Sequence, residues 1–238
     1  MNRQLRLQLR RPPSYGREAF IVSPANLDAV RALDAWPGWH GRVLALVGPP
    51  GSGKTHLAEI WRRRADAVEL AAGAGHAALD DLRGRSILLE GADRCDPEIL
   101  FHLINMVGEA GGSLLLTARA APSLWPSGLP DLRSRLNALP IAELGPPDDG
   151  ILVGVLQKFF RERNIRPNDD VFPYLVRRME RSVPVALALV EKLDEASDAE
   201  NRPVSRALAR QILEEDGGSA DLFGDRLAET DASGDNRR

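Results

Sequence analysis

Gly48-Pro49-Pro50-Gly51-Ser52-Gly53-Lys54-Thr55 is the segment of this chain best suited to chemistry. Its spacing, Gly-x-x-x-x-Gly-Lys-Thr, is that of a loop built to hold phosphate. Glycines let the backbone curl so that successive N–H groups face phosphate oxygens. A helix starting at the end of the loop adds a field that favours anions. Lys54 brings positive charge to the outer phosphates, and Thr55 offers a hydroxyl to a metal ion. The expected ligand is ADP or ATP with Mg²⁺, held by residues 48–55 and by His56, which follows them.

A second constellation lies at Ile87-Leu88-Leu89-Glu90-Gly91-Ala92-Asp93. Proteins that hydrolyse nucleotides on such a loop place two acidic residues at the end of a neighbouring strand. One helps to hold Mg²⁺, and the next activates the attacking water. Glu90 stands at the metal-side position, one methylene longer than the usual Asp. Gly91 stands at the base position and has no side chain, whereas a general base must reach its proton within hydrogen-bond distance. Asp93, beyond the strand end, is a poor substitute unless it folds back. The expectation is nucleotide binding with weak or no intrinsic hydrolysis. Thr117, at the end of another apolar run, stands where a polar side chain would watch the γ-phosphate.

The elements that must position these residues are legible in the hydrophobic pattern. Val43–Val47 is an apolar run closed by glycine, and residues 67–70, 86–90, 113–117 and 138–141 read as further strands. Helices are expected from Ser23-Pro24 (Ser23 as N-cap), from Lys54 to about Ala65, from Asp96-Pro97 with Ile99, Leu100, Leu103, Ile104 and Val107 inward, and over 130–136. Strands alternating with helices predict an α/β fold, a parallel sheet sandwiched by helices. After Gly145-Pro146-Pro147 the pattern turns wholly helical, near 147–163, 169–180, 183–196 and 204–215. The expected domains are a flexible tail over 1–19, an α/β nucleotide-binding domain over 20–145, a helical lid over 146–215 and a disordered acidic tail over 216–238.

Composition narrows the function classes. The chain has 238 residues, 43% of them hydrophobic and 27% charged, and a net charge of −3. That balance suits a soluble globular protein and argues against one that wraps nucleic acid over its whole surface. The single cysteine, Cys95, excludes a disulfide framework and fits a reducing compartment. The four histidines lack metal-ligand spacing. No run is long and apolar enough to span a membrane or serve as a signal peptide, so a cytoplasmic location is expected.

With these residues laid out, the chain resembles the Hda family, small AAA+ relatives of the replication initiator DnaA. The resemblance runs from Gln4 to about residue 215. Gln4-Leu5-Arg6-Leu7-Gln8-Leu9 is similar to the Gln-Leu-x-Leu-x-Leu motif that docks on the DNA polymerase III sliding clamp, which implies clamp contacts by Gln4, Leu5, Leu7 and Leu9. Phe20-Ile21-Val22-Ser23-Pro24-Ala25-Asn26 resembles the segment lining the adenine pocket, which implies Phe20, Ile21, Val22 and Asn26 as nucleotide contacts; core packing of Phe20 and Val22 is the other reading. Leu129-Pro130-Asp131-Leu132-Arg133-Ser134-Arg135-Leu136 resembles the box that carries an arginine finger, at Arg135. A family arginine that touches nucleotide falls on Pro184 here, so Arg181 or Arg178 would stand in. Ser182 is a suitable N-cap for that helix, with Pro184 in its first turn.

The resemblance implies an ADP-bound regulator of replication initiation. Docked on the clamp, it would stimulate ATP hydrolysis by DnaA through Arg135, inactivate DnaA and prevent over-initiation. Thr55 and Glu90 are the expected Mg²⁺ residues. Full initiators of this family end in a helix-turn-helix domain, whereas this chain ends in an acidic tail, so no direct specific DNA binding and no membrane partner are expected. Self-association into a homodimer stays open. The alternative is a self-sufficient AAA+ ATPase such as a helicase loader, against which Gly91 argues.

Overall fold

The computed structural model describes residues 16–75 and 79–223, without the side chains of Asp80 and residues 216–223. The segment Gln4–Leu9, expected to dock on a clamp, lies outside the described residues. Among the described residues the chain divides into two compact units. One comprises residues 16–49 and 53–144, the other residues 50–52 and 145–223.

The first unit is built on five parallel strands: β1 (Val43–Val47), β2 (Val68–Leu70), β3 (Ile87–Glu90), β4 (Leu114–Ala118) and β5 (Ile141–Glu143). They pair in the order β2-β3-β4-β1-β5. The central strands read as continuous apolar runs because both faces are covered. Their alternation sends side chains to opposite faces. Val43, Ile87, Leu89, Leu114 and Leu116 pack with Ile99, Leu100, Leu103 and Val107 of α3 (Pro97–Ala110). Leu44, Leu46, Leu88 and Leu115 pack with Val30 and Leu33 of α1 (Leu27–Asp34) and with Leu57 and Trp61 of α2 (Lys54–Arg64). Trp39 stacks on Trp61, ring centres 5.2 Å apart. The last helix of this unit is α4 (Pro130–Ala138).

Local differences from the sequence reading have local causes. Ser23 does not cap a helix at Pro24: its hydroxyl accepts from Ala25 N in a turn, and α1 begins only at Leu27. The fifth strand starts at Ile141 because α4 keeps the chain helical through Ala138. The second unit is all helical: α5 (Asp149–Glu162), α6 (Val171–Val176), α7 (Val183–Glu200) and α8 (Arg206–Phe223). Helix α8 runs past residue 215, where a disordered tail was expected to begin. Ser182 holds the N-cap position of α7, but its side chain makes no capping hydrogen bond. In this unit Val183 N–H donates to Gly51 O at 3.3 Å. A Cβ at Gly51 (φ +73°) would collide with the Ser182 hydroxyl. No helix among the described residues is long and apolar enough to cross a membrane.

Candidate nucleotide-binding site

The phosphate-binding loop leaves the C-terminal end of β1, which lies between β4 and β5 in the sheet. Gly48 N–H donates to Ala118 O of β4 at 3.3 Å, which ties the start of the loop to the neighbouring strand. Gly53 closes the loop in the left-handed region (φ +98°) and hands over to α2 at Lys54. Without a Cβ it lets the chain turn there at little cost. Lys54 Nζ donates to Gly48 O at 2.7 Å and Pro49 O at 2.8 Å, so the ammonium lies at the mouth of the loop. Its pKa is lowered by partial burial and then by the charge of Arg119, while Glu90 and Asp93 pull the other way. Thr55, in the first turn of α2, is exposed.

Beside the loop, β3 and β4 bring the remaining polar residues together. Glu90 pairs in register with Thr117. Thr117 is buried, and its hydroxyl accepts from Gly91 N–H at 3.2 Å, which fixes the backbone where a base would stand. Gly91 is left-handed (φ +67°), and a Cβ built there would run into the guanidinium of Arg94. Glu90 Oε1 is buried with no hydrogen-bond partner. A buried carboxylate oxygen without a donor is costly unless a ligand meets it. That orphan atom suits Mg²⁺. So does the small donor set of one carboxylate and the Thr55 hydroxyl, since Mg²⁺ usually takes few protein ligands and completes its shell with phosphate and water. Among the described residues no group of three or more His, Cys, Asp or Glu could hold a metal ion on its own.

Phe20 and His56 meet edge-on, with ring centres 5.2 Å apart, and His56 Nε2 lies 3.3 Å from Gly16 O. Phe20 also reaches the loop, its ring within 3.2 Å of where a Cβ of Gly53 would be. The segment 20–26 therefore lies against the end of the loop. Asn26 is buried, but its amide bonds the backbone, donating to Ile21 O and accepting from Ser23 N, both at 2.9 Å. Its structural part is to brace the segment. Val22 is exposed.

A parallel sheet with a phosphate loop after β1 and a following helical unit has counterparts among solved proteins. The chain aligns with domain III of the replication initiation protein DnaA from Thermotoga maritima at a TM-score of 0.71, covering 86% of this chain and 97% of that one, at 19% identity. The fold is that of a DnaA-like AAA+ domain. DnaA from Aquifex aeolicus, solved with AMPPCP bound, aligns at a TM-score of 0.64 and 18% identity over 77% of this chain and 66% of that one. In sequence, the chromosomal replication initiator protein DnaA of Thermomicrobium roseum is 26% identical over 232 residues, 85% of this chain. The chain spans about half the length of that curated relative. No protein-family model matches it.

In the first unit Arg135 lies on the exposed side of α4, whose other face is buried through Leu132 and Leu136. Its guanidinium sits 5.5 Å from the ring centre of Phe101 on α3. Arg133 fixes the approach to the helix by donating to Ser123 O at 2.6 Å and Trp125 O at 2.8 Å. The two candidates for a substitute nucleotide-sensing arginine are both engaged in the second unit. Arg181 donates to Asp149 Oδ1 at 2.7 Å, an ion pair at the start of α5, and Arg178 lies 4.2 Å over the Tyr174 ring. Sequence reading missed Arg119 and Arg94, because neither belongs to a motif. Only strand register shows that residue 119 follows the partner of Val47, and only the turn at Gly91 brings Arg94 back onto it.

Proposed function

We propose that this chain is a nucleotide-bound regulator of replication initiation that holds ADP and acts on DnaA in trans. The observation that carries this reading is the contrast at the C-terminal ends of the strands. A complete phosphate loop lies beside a position, Gly91, that has no base and is covered by a guanidinium. Such a site binds nucleotide without turning it over. Lys54 and the backbone of residues 48–55 hold the phosphates. Glu90 and Thr55 would hold Mg²⁺, which would supply positive charge against the phosphates. Phe20 lies where it can shield the base or ribose from water.

The catalytic contribution of the chain is then Arg135. Its exposure and the rigid approach set by Arg133 suit a guanidinium offered to a neighbour's γ-phosphate, where it offsets charge developing in phosphoryl transfer. The phosphate donor is ATP bound to DnaA, and hydrolysis leaves DnaA in its inactive ADP form. Gln4, Leu5, Leu7 and Leu9 would tether the protein to the sliding clamp in the cytoplasm, with the glutamine hydrogen-bonding and the leucines filling an apolar pocket.

The test is Arg135→Ala in a reconstituted assay with clamp loaded on DNA and ATP-bound DnaA. The variant is expected to keep nucleotide and clamp binding and to lose stimulation of DnaA hydrolysis by about 10³-fold, the lower end for a supplied arginine. Retained stimulation would reject the assignment. Rapid single-turnover hydrolysis by the chain alone would favour a self-sufficient ATPase such as a helicase loader, with Asp93, whose charge is felt at Lys54, as its base.

A further inference from the structure

Helix α8 buries Leu208, Ala209 and Ile212, which leaves Arg206, Arg210 and Glu214 in one exposed row, four residues apart. Helix α6 packs beside it and buries Leu175 and Val176. Tyr174, half-buried on α6, meets that row, with Arg178 four residues further along the chain. The Arg178 guanidinium lies 4.2 Å from the Tyr174 ring centre and that of Arg206 lies 5.0 Å from it. The electron-rich ring face attracts cations, so one tyrosine gathers guanidiniums from two elements. Arg210 donates to Glu214 at 2.7 Å, whereas Arg178 and Arg206 form no ion pair among the described residues.

Together Tyr174, Arg178, Arg206, Ala207, Arg210 and Glu214 line an open depression of about 530 Å³. This gathering of positive charge is local. The chain has a net charge of −3, and α7 of the same unit carries five acidic residues to one lysine. Like charges held together raise the potential over the depression and draw a polyanion. The lining narrows the kind of polyanion. Protein-docking surfaces have an apolar centre depleted in charge. Here the walls are three guanidiniums, a phenol and a carboxylate, with Ala207 the one aliphatic residue. Contacts to nucleic acid are polar and positive in this way. Guanidinium forks and tyrosine hydroxyls are among the groups that hold phosphate oxygens, and such contacts carry no sequence information.

We propose that the α6–α8 face of the helical unit is a sequence-independent contact for the phosphodiester backbone of nucleic acid. Arg178 and Arg206 make the contact, and Glu214 tempers it by holding Arg210 in an ion pair. The face lies wholly in the second unit and does not depend on the nucleotide reading.

The test is fluorescence anisotropy of a labelled mixed-sequence DNA duplex titrated with the full chain over a range of salt. The proteins compared are wild type, Arg206→Ala, Glu214→Gln and Arg161→Ala, the last an exposed arginine on α5 outside the depression. Wild type is expected to bind with a Kd of roughly 10⁻⁴–10⁻⁶ M near physiological salt, and equally to a duplex of another sequence. Arg206→Ala should weaken binding about fivefold and make the slope of log affinity against log salt shallower by about 0.9, the share of one phosphate contact. Glu214→Gln frees Arg210, so it should tighten binding and steepen the slope, a gain that misfolding does not produce. Arg161→Ala should leave binding unchanged. All three side chains are exposed, so the melting temperatures should agree. No binding by wild type, equal losses for Arg206→Ala and Arg161→Ala, or weaker binding by Glu214→Gln would overturn the proposal. So would poly-glutamate that displaces the duplex as well as unlabelled DNA does at equal charge, since the face would then be one for acidic protein.

Discussion

Gly91 illustrates how much chemistry depends on one side chain. In the proposed reading, water beside the phosphate finds no base at position 91, and the site holds nucleotide rather than consuming it. The obvious repair, Gly91→Glu, meets two obstacles. The backbone is left-handed, a conformation that costs an L-residue roughly 1–2 kcal/mol. The new carboxylate would also emerge onto the Arg94 guanidinium and pair with it rather than with water. The variant is expected to hydrolyse ATP no faster than wild type in single turnover and to melt at a lower temperature. A gain to ordinary ATPase rates would show that the base was the only part missing. That position 91 carries no side chain was legible in the sequence, because Gly91 follows an apolar run ending in an acid. The guanidinium filling the gap was not, because the turn that folds Arg94 back has no signature beyond one glycine.

Helix ends show the same division at the scale of elements. Asp96-Pro97 reads as a helix start, and in the structure Asp96 Oδ1 accepts from Glu98 N at 2.8 Å and Ile99 N at 3.3 Å. Asp96→Ala should therefore cost about 1 kcal/mol of stability, the usual worth of an N-cap. Ser182 reads equally well but makes no capping bond, so Ser182→Ala should change stability by much less. Paired denaturant titrations decide this, and equal losses would contradict the distinction. Strands were legible for a similar reason. The runs that became β1, β3 and β4 are apolar but for Glu90 and Thr117 near the ends of β3 and β4, because both faces of the sheet are covered. The fifth strand was set too early because Ala138 suits a helix end as well as a strand, and packing of Leu132 and Leu136 decided for the helix. The turn at Ser23 and the ion pair of Arg181 depend on partners distant in the chain or on backbone geometry, which periodicity does not record.

For the whole molecule, the proposed reading poses the question of what a nucleotide would do in a protein that does not consume it. A ligand that binds only the folded state stabilises it by an amount set by its concentration relative to Kd, about 2.7 kcal/mol at a hundredfold excess. In a chain of 238 residues that corresponds to a rise in melting temperature of roughly 5–10 °C. Two features of the site point to such dependence. The Lys54 ammonium is partly buried and bonded to the carbonyls of Gly48 and Pro49, and Glu90 Oε1 is buried without a partner among the described residues. Each is a local cost that Mg²⁺ and phosphate would offset. Saturating ADP with Mg²⁺ should raise the melting temperature by that range. ADP without Mg²⁺ should raise it less, because Glu90 stays unmatched. Lys54→Ala should abolish both shifts while melting near the apo wild type. If ADP instead left the melting temperature unchanged at concentrations where titration shows saturation, the nucleotide would bind folded and unfolded chains alike, and a structural role for a resident ADP would have to be abandoned.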